Sequence, residues 1–571
     1  MPGREHDTQT AAAELIREMI DDPLGDVAPS TYDTARLVSL APWLDGHAAR
    51  LDFLCDTQGR DGAWGAPDGY GIVPTLSATE ALIACLRRPP GPERGIDPGR
   101  LAAAAARGLA ALRRWLERGT TVAVPDTIAV ELVVPAMVAA INRQLDAEAV
   151  EPSPHSERWS VRRRLGVPAG FDPDAPAALR ARIDRAEPVP QTWWASVESI
   201  EVPIAGIDRV RPVDGAVACS PAATAAWLAA IRGVSSAGST GTAIADAVRY
   251  LDRLQARGGG PVPGVTPITY FEWAWVLSGL ADVAPGRPVA PELLDGLAAA
   301  LGPHGAPAAP GLPPDCDDTA VVLTALARHG RSHRPDCLLR YRTDDHFACF
   351  PAERTPSTST NAHALEAVEC AVADRPAMWP RLAPAITAVS RWLLDAQDAD
   401  GSWQDKWHAS PFYATFCCVR ALGMRVNNAH RDALRRAVDW VLAMQRSDGS
   451  WGRWTGTVEE TAYAVQILAS GGAASRLDMR AAVAAAAAYL RAHHVTAAHP
   501  GLWHAKDLYA PTRVIRAARL GALAAARTML INADAGSFQP AVSAAALRLP
   551  VPRSAPTQAA QSESGSPSRP R

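Results

Sequence analysis

The chain has 571 residues and a formal net charge of -3, and 48% of its residues are hydrophobic. Because it has no basic surplus, we do not expect a dedicated nucleic-acid binder, and its apolar content is enough to bury a large core. Its length exceeds that of one ordinary compact core, so we expect two or more domains.

Helical patterns follow one another along the chain. Alanine and leucine repeat at helical spacing, for example in residues 101–119, 225–234, 383–397, 431–445 and 479–494. Gly, Pro and Asp separate these stretches, and few sustained period-two alternations occur. The pattern predicts a mostly helical protein with short loops.

A seven-residue turn recurs between these helices. Gln-x-x-Asp-Gly-x-Trp begins at Gln58, Gln397 and Gln445, and a degenerate copy lies in residues 212–228. Since helical hairpins of this kind bury their apolar faces only by stacking, the repeats predict a solenoid or a closed ring of helices. Taken alone, we interpret these turns as structural.

Three acidic residues precede one of the helices. Asp315, Asp317 and Asp318 lie in "PPDCDDTA", between two prolines and a helical pattern. Aspartate is favoured at a helix N-cap, and in isolation that is the better interpretation. Burial of all three would raise the pKa of at least one, and a carboxylic acid kept protonated in an apolar pocket can donate a proton. A magnesium site is a third option, and these residues alone leave the choice open.

Signals of cellular location are few. No signal peptide starts the chain, and no uninterrupted apolar run reaches the roughly 18 residues of a membrane span. The nine cysteines are scattered without a Cys-x-x-Cys pair, which is typical of a reducing compartment. We therefore expect a cytoplasmic protein without a membrane span.

Further motifs accompany the acidic cluster and the repeated turns. They lie, in order, at residues 30–38, 130–138, 196–200, 214–228, 258–275 and 503–518, and include "STYDTARLV", "SVESI" and "WHAKDLYAPTRVIRAA". One such match is weak. With all of these motifs in order, the chain resembles the class II, or protonation-initiated, terpene cyclases. It is most similar to bacterial diterpene cyclases of the copalyl diphosphate synthase type.

The resemblance implies an all-α fold of two α-helical barrel domains, usually called β and γ. We expect residues 1–40 and 270–534 to form the β domain, which carries the acidic motif. We expect residues 41–269 to form the γ domain, inserted after the first helix, with the pocket between the two domains. The Pro/Ser/Gln-rich residues 535–571 are expected to be a disordered tail.

The resemblance also implies a reaction. Asp317 would protonate the terminal alkene of geranylgeranyl diphosphate, with Asp315 and Asp318 setting its orientation and charge. The cation would close a bicyclic skeleton of labdane, halimane or clerodane type, and the diphosphate would stay attached. No Asp-Asp-x-x-Asp motif stands out, so we expect no diphosphate ionisation here. A class I terpene synthase is then an expected partner that uses the product.

The remaining site residues follow from the same resemblance. Aromatic faces stabilise carbocations, and the candidates are Trp193, Tyr270 and Trp273, together with Trp194 and Phe271. For the diphosphate we expect Lys506 and Arg513, although a solvated basic helix is an equally good interpretation. For Mg²⁺ we expect acids of the γ domain, and those available are Glu117, Asp126 and Glu131.

One departure from the family concerns the last step. Plant-type enzymes that make ent-copalyl diphosphate carry a His and an Asn that act in the final deprotonation, whereas this chain has Ala195 and Gly264 there. We therefore expect another base and leave the product skeleton open. His363 is one candidate base, but a hydrogen-bonded pocket or core histidine is the better interpretation.

Two other functions stay open. One is a related cyclase that acts on farnesyl diphosphate, squalene or a prenylated aromatic (meroterpenoid) precursor. The other is a helical ring or solenoid that binds a partner, with the three acids as helix caps. Substitution of Asp317 separates these, because the cap alone contributes only about 0.5–2 kcal/mol.

Overall fold

The structure, a computed structural model, describes residues 3–89, 96–116, 123–152, 154, 156–158, 164–200, 209–232, 241–283, 289–351, 353, 355–470, 477–496 and 498–534. Helices dominate this part of the chain, which confirms the all-α prediction. None of the described helices is both long and apolar enough to cross a membrane. The expected disordered tail, 535–571, lies outside the described residues.

The first half of the described chain contains α1 (Gly3–Asp21), α2 (Thr31–Leu40), α3 (His47–Asp56), α4 (Ile72–Arg87), α5 (Pro98–Trp115), α6 (Val130–Val150), α7 (Ala175–Asp184), α8 (Pro221–Arg232) and α9 (Gly241–Gly258). Short 3-10 helices lie at Ser156–Arg158 and Gln191–Ser199.

The second half contains α10 (Thr269–Leu280), α11 (Pro291–Ala300), α12 (Cys316–Arg328), α13 (Thr358–Asp374), α14 (Trp379–Asp395), α15 (Pro411–Gly423), α16 (Asn428–Ala443), α17 (Val458–Ser470), α18 (Leu477–Ala492) and α19 (Thr512–Asp534). Short 3-10 helices lie at Leu338–Tyr341 and Pro376–Met378. The strands β1 (Trp503–His504) and β2 (Leu508–Tyr509) pair antiparallel as a hairpin.

Six helices of the second half form a closed ring. α10, α12, α13, α15, α17 and α19 each contact the next, and α19 returns to α10. α1, α11, α14, α16 and α18 pack around this ring as an outer layer. One apolar cluster joins both layers, so α1 and α10–α19 make up the β domain.

A second ring forms from the first half of the chain. α2, α4, α6, the 3-10 helix Gln191–Ser199 and α8 contact one another in a closed circuit, with α3, α5, α7 and α9 outside. This is the γ domain. The two barrels that the family resemblance implied are therefore present.

The division between the domains differs from the expected one at α2. We placed residues 1–40 in the β domain, but α2 packs against α4 and α8. Tyr32, Ala35 and Val38 lie in the apolar core of the γ domain. The insertion therefore begins directly after α1, because the apolar face of α2 completes the γ ring.

The repeated turns close the helical hairpins in the same way each time. Trp64, Trp403 and Trp451 are fully buried. Each indole Nε1 donates a hydrogen bond of 2.7 Å to a carbonyl at the end of the preceding helix, namely that of Leu54, Leu393 or Val441. Each turn therefore satisfies a helix-end carbonyl and anchors one hairpin to the core.

The glutamines of these turns join neighbouring hairpins. In the second copy, Gln397 Nε2 donates to Gly401 O at 2.8 Å and to Ala433 O on α16 at 3.0 Å. Gly401 has φ +100, and a Cβ there would lie 2.5 Å from Arg436 O. Glycine is thus required where the turn meets the next helix.

The degenerate copy keeps the turn but replaces its tryptophan. Gly215 has the same left-handed φ, +86. Two residues later, Val217 N donates to Thr224 Oγ1 at 2.9 Å, as Trp403 N donates to Thr415 Oγ1 at 3.0 Å. Val217 therefore stands in the tryptophan position, and the tryptophan within residues 212–228, Trp227, lies inside α8.

Candidate active site

The acidic cluster lies at the start of α12, on the inner ring of the β domain. Asp315 is the N-cap, and its Oδ1 accepts a hydrogen bond of 2.8 Å from Asp318 N. The helix-cap interpretation is therefore correct for Asp315. It does not account for the side chains of Asp317 and Asp318, which lie in the first turn.

The three carboxyl groups differ in exposure and partners. Asp315 and Asp318 are buried, and Asp318 Oδ1 has no hydrogen-bond partner among the described residues. The side chain of Asp317 is 16% exposed, and its Oδ1 lies 2.7 Å from His363 Nδ1. Asp317 is thus the member of the cluster that is oriented by a second residue and reaches beyond the helix end.

Burial keeps a proton on the two inner acids. It raises the pKa of Asp315 to about 7, against a hydrogen bond with Asp318 that lowers it. Burial, followed by the charge of Asp315, raises the pKa of Asp318 well above its usual range. Near neutral pH this pair therefore holds a proton directly behind Asp317.

His363 is the hydrogen-bond partner of Asp317. Burial alone lowers its pKa, but the charge of Asp317 outweighs this and raises the pKa well above the usual range. In this ion-paired state Nδ1–H donates to Asp317 Oδ1, and Oδ2 is the oxygen on which a proton would be carried. Nε2 lies 3.4 Å from Cys417 Sγ. The interpretation as a hydrogen-bonded pocket histidine fits this geometry better than that of a terminating base.

An aromatic cavity lies inside the β ring beside this pair. Its lining includes His363, Trp275, Tyr413, Phe416 and Tyr463, all on inner helices of the ring. The Trp275 and His363 rings meet edge to face at 5.4 Å. The described lining of this cavity belongs to the β domain alone. A second cavity, lined by residues of α9 and α19, lies between the two domains.

The aromatic residues predicted for the pocket lie elsewhere. Tyr270 and Trp273 pack edge to face at 6.0 Å, and Trp273 faces α11, since a Cβ at Gly296 would lie 2.5 Å from its ring. Trp193 lies in the γ domain with Arg182 over its ring at 5.2 Å. None of these three is in the described cavity lining.

The opposite face of α10 supplies the aromatic groups instead. Trp275 lines the cavity and stacks on Phe271 at 4.3 Å. The stretch "TYFEWAW" carries aromatic residues on both faces of one helix, so helical spacing separates 270 and 273 from 271 and 275. Only the packing of the ring decides which face is inside.

Lys506 lies at the junction of the two domains, in the β1–β2 hairpin. Its Nζ donates to Glu198 Oε1 at 2.6 Å and to Ser220 Oγ at 2.8 Å, both in the γ domain. Tyr32 OH also donates to Glu198 Oε1, at 2.9 Å. Glu198 Oε2 has no partner among the described residues. A buried cation with an incompletely satisfied counter-ion is suited to a polar ligand.

Arg513 has a different environment from the one we predicted. Its Nη1 donates to Glu272 Oε2 and to Asp22 O, each at 2.9 Å, and Glu272 is fully buried. Arg513 therefore joins α19 to α10 and to the end of α1. Its contacts are those of a structural link rather than of an open diphosphate site.

Two of the three predicted metal acids lie beside the same hairpin. Asp126 precedes α6 and Glu131 is in its first turn, and Ile128 N between them donates to Ala505 O at 3.0 Å. Glu117 lies outside the described residues. Within the described ranges, no three His, Cys, Asp or Glu side chains converge as a metal cage.

The positions of the missing dyad adjoin a carboxylate pair. A Cβ on Gly264 would lie 3.4 Å from Asp507 Oδ1 and 3.5 Å from Asp33 Oδ2. Asp33 caps α8 through Ala222 N at 3.0 Å, and Asp507 accepts from Tyr32 N at 3.1 Å. We had not predicted these carboxylates. Asp507, in the β1–β2 hairpin, joins the two domains at the point where an asparagine would enter.

Comparison with known proteins adds to this geometry. The model of the squalene-hopene cyclase C-terminal domain matches residues 355–496. The chain is 42% identical to the ent-copalyl diphosphate synthase of Streptomyces sp. (strain KO-3988), over 91% of this chain and 96% of that protein. It is 39% identical to the labda-7,13-dienyl diphosphate synthase of Streptomyces clavuligerus, over 91% and 94%.

A solved structure agrees in fold. The ent-copalyl diphosphate synthase from Streptomyces platensis is 49% identical, with a TM-score of 0.85 over 91% of this chain and 100% of that chain. The double-barrel fold and these relatives identify the chain as a terpene cyclase. More narrowly, the chain belongs to the class II diterpene cyclases, in the family of the bacterial copalyl diphosphate synthases.

Proposed function

We propose that this enzyme protonates the terminal alkene of geranylgeranyl diphosphate with Asp317 and closes a bicyclic diterpenyl diphosphate of labdane, halimane or clerodane type. The diphosphate stays attached throughout. The observation that carries the proposal is the position of Asp317, bonded to His363 on the wall of an aromatic cavity and backed by two buried acids.

The acid has the environment that alkene protonation needs. An alkene is a weak base, so its protonation requires a strong acid and the exclusion of water. A hydrogen bond donated by His363 to Asp317 Oδ1 makes Oδ2 the better proton donor. The Asp315–Asp318 pair supplies the proton reserve behind it.

The aromatic walls serve the cation that follows. Trp275, Tyr413, Phe416 and Tyr463 face the cavity, and each aromatic face contributes roughly 0.5–2 kcal/mol to a nearby cation.

The diphosphate belongs at the domain junction. Lys506 is the buried cation there, and Glu198 Oε2 and Thr127 Oγ1 are buried oxygens without partners among the described residues. Mg²⁺ fits this donor set, because it keeps waters and shares phosphate oxygens and needs only one or two carboxylates. Asp126 and Glu131 would hold it, and the ion would neutralise charge on the diphosphate.

The proposed product keeps the diphosphate group. The relatives named above are called synthases of ent-copalyl and labda-7,13-dienyl diphosphate, so both names keep the diphosphate in the product. With Ala195 and Gly264 in place of the plant-type dyad, the last proton leaves by another route, and the skeleton is set by cavity shape.

The experiment is incubation of the protein with geranylgeranyl diphosphate and Mg²⁺, followed by dephosphorylation and identification of the alcohol by mass spectrometry and NMR. Farnesyl diphosphate and squalene are run in parallel. We expect a bicyclic C20 alcohol and no release of inorganic diphosphate. Turnover of another chain only, or diphosphate release at the rate of cyclisation, contradicts the proposal.

A further inference from the structure

A second buried carboxylate lies in the β barrel, away from the acidic cluster. Glu459, in the first turn of α17, has no exposed surface. Its Oε1 accepts from Trp503 Nε1 at 2.7 Å, from Tyr463 OH at 3.2 Å and from His408 Nε2 at 3.2 Å. Its Oε2 has no partner among the described residues.

All three donors to Glu459 are neutral. Trp503 and Tyr463 donate through an indole N–H and a hydroxyl. For His408, Ser410 N donates to Nδ1 at 3.0 Å, so Nδ1 carries a lone pair and Nε2 carries the single proton. The carboxylate is therefore solvated by neutral dipoles and not by a bonded cation.

The hydrogen bonds to Glu459 favour its ionised form. Burial by itself raises the pKa of Glu459, but the hydrogen bonds donated by His408 and Trp503 lower it. A buried anion without a bonded cation costs folding free energy. Such a cost is consistent with a positive charge that is present only while the enzyme works.

Aromatic rings separate this carboxylate from the cavity. Tyr413 and Tyr463 line the cavity and lie 5.2 Å apart. Trp503 packs on Tyr413 at 4.7 Å, and His408 stacks on the same ring at 4.6 Å. Glu459 bonds the outer edges of this wall, so its charge reaches the cavity through the rings while its oxygens stay out of contact.

The wall adjoins the proton donor. Tyr413 also meets the His363 ring, at 6.3 Å, and His363 holds Asp317. On the hairpin, burial raises the pKa of Tyr509, and the charges of Asp318, Glu459 and Asp317 raise it further. Asp317 and Glu459 therefore lie on two sides of the aromatic cavity.

We propose that Glu459 is an electrostatic positioning residue that stabilises the carbocation from behind the aromatic wall formed by Trp503, Tyr413 and Tyr463. The inference rests on the proposed function. The negative charge increases the electron density that the rings present to the cation, and hydrogen bonds fix their edges. Because the rings intervene, the carboxylate neither removes a proton nor captures the cation.

The central test is Glu459→Gln, which removes the charge and keeps the shape. We expect kcat for geranylgeranyl diphosphate to fall about 10- to 100-fold and KM to stay within about threefold, because the variant affects the carbocation and not the bound substrate. We also expect a larger share of monocyclic and hydroxylated alcohols. A purely structural glutamate would lower Tm and leave the product ratio unchanged.

The matched control is Glu460→Gln on the same helical turn. Glu460 is equally buried but binds Ser410 Oγ at 2.6 Å, Arg453 N at 2.7 Å and Thr457 Oγ1 at 2.8 Å, which are helix-end contacts. We expect this variant to lose thermal stability and to keep the kcat per folded enzyme and the product ratio. If both variants shift the products alike, the role assigned to Glu459 is wrong.

A binding measurement separates charge from shape. The probes are an analogue of geranylgeranyl diphosphate with a tertiary amine in the chain and its saturated carbon counterpart, titrated by calorimetry. We expect Glu459→Gln to lose about 10- to 100-fold in affinity for the protonated amine and less than about threefold for the carbon analogue. Glu459→Asp, which keeps the charge, should retain most of the preference for the amine.

The outcomes distinguish the two proposals. If the wild-type enzyme does not turn over geranylgeranyl diphosphate, the proposed function fails. If it does, and Glu459→Gln matches it in kcat, products and preference for the amine, only the role of Glu459 fails. Should Glu459→Gln not fold, Glu459→Asn is the second neutral variant for the same measurements.

Discussion

In the γ domain the buried Arg36 and Glu80 lie 2.7 Å apart, and Arg36 also donates to Ser77. In the β domain the buried acids Asp318 and Glu459 each leave one oxygen without a partner among the described residues. Both barrels are closed rings of helices with buried charges. The buried Glu80 is neutralised by Arg36, whereas Asp318 and Glu459 have no bonded arginine or lysine among the described residues.

This difference indicates which buried charges stabilise the fold and which belong to a site. A buried ion pair with its hydrogen bonds satisfied fixes the packing of its ring, and removal of one member leaves an uncompensated charge. Buried acids without a bonded cation weaken the fold, and such groups cluster where a site needs a proton or a counter-charge. The contrast supports the proposal that the β barrel carries the catalytic acid, while the γ barrel contributes to the junction around Lys506.

The largest stability effect should come from the γ pair. Arg36→Met leaves Glu80 buried and unpaired, and we expect a loss of about 3–5 kcal/mol in the free energy of unfolding. Asp318→Asn replaces an acid that is already protonated in the fold, so we expect a change within about 1 kcal/mol together with lost activity. Denaturant unfolding at neutral pH measures both, and similar losses for the two variants would remove the contrast.

The pH dependence of the two acids should have opposite sign. Burial raises the pKa of Glu80, but the charge of Arg36 outweighs burial, and the pKa of Glu80 is lowered. The stabilisation from Glu80 is therefore present above its unfolded pKa and is lost as pH falls through its folded pKa. Asp315 has its pKa raised by burial to about 7, so its contribution is present below the unfolded value of about 3.9 and is lost as pH rises towards 7.

Catalytic activity should follow the protonation of Asp315. We expect kcat to be level below about pH 7 and to fall by up to about tenfold per pH unit above it, as the Asp315–Asp318 pair loses its proton. Steady-state rates from pH 5.5 to 9, with unfolding followed in the same buffers, provide the measurement. A rate that rises through pH 7 would show that the cluster acts as a base.

The smallest effect should come from an exposed contact between the domains. Asp68 in the γ domain accepts from Arg453 Nη2 and Trp454 Nε1 of the β domain, each at 2.9 Å, and its side chain is 52% exposed. Because such surface pairs contribute little, Asp68→Asn should cost less than about 1 kcal/mol and leave kcat unchanged. A larger loss in thermal melting would mean that the interface depends on this contact.

Local patterns in the sequence were enough to predict the helical fold and to locate the acidic cluster. Helical spacing and the turns at Gln58, Gln397 and Gln445 predicted stacked helical hairpins in a solenoid or a closed ring, because each turn carries its own glycine and tryptophan. The cluster at Asp315, Asp317 and Asp318 was found because its residues are adjacent in the chain. Features encoded within one short segment can be read without the fold.

Features that depend on distant contacts were not predictable in this way. Arg513 is neutralised by Glu272, which is 241 residues away, and Trp275 rather than Trp273 faces the cavity. Glu459 resembles any glutamate near a helix start until Trp503 and His408 are seen around it. Each depends on which helix face meets the centre of the ring.

The most direct test of the proposed mechanism is single-turnover cyclisation of geranylgeranyl diphosphate by Asp317→Asn, with the exposed Asp448→Asn as the matched control. We expect Asp317→Asn to keep its melting temperature and to lose about 10²- to 10⁴-fold in rate, while Asp448→Asn cyclises at the wild-type rate. Wild-type cyclisation by Asp317→Asn, with the same product, would contradict the assignment of Asp317 as the proton donor.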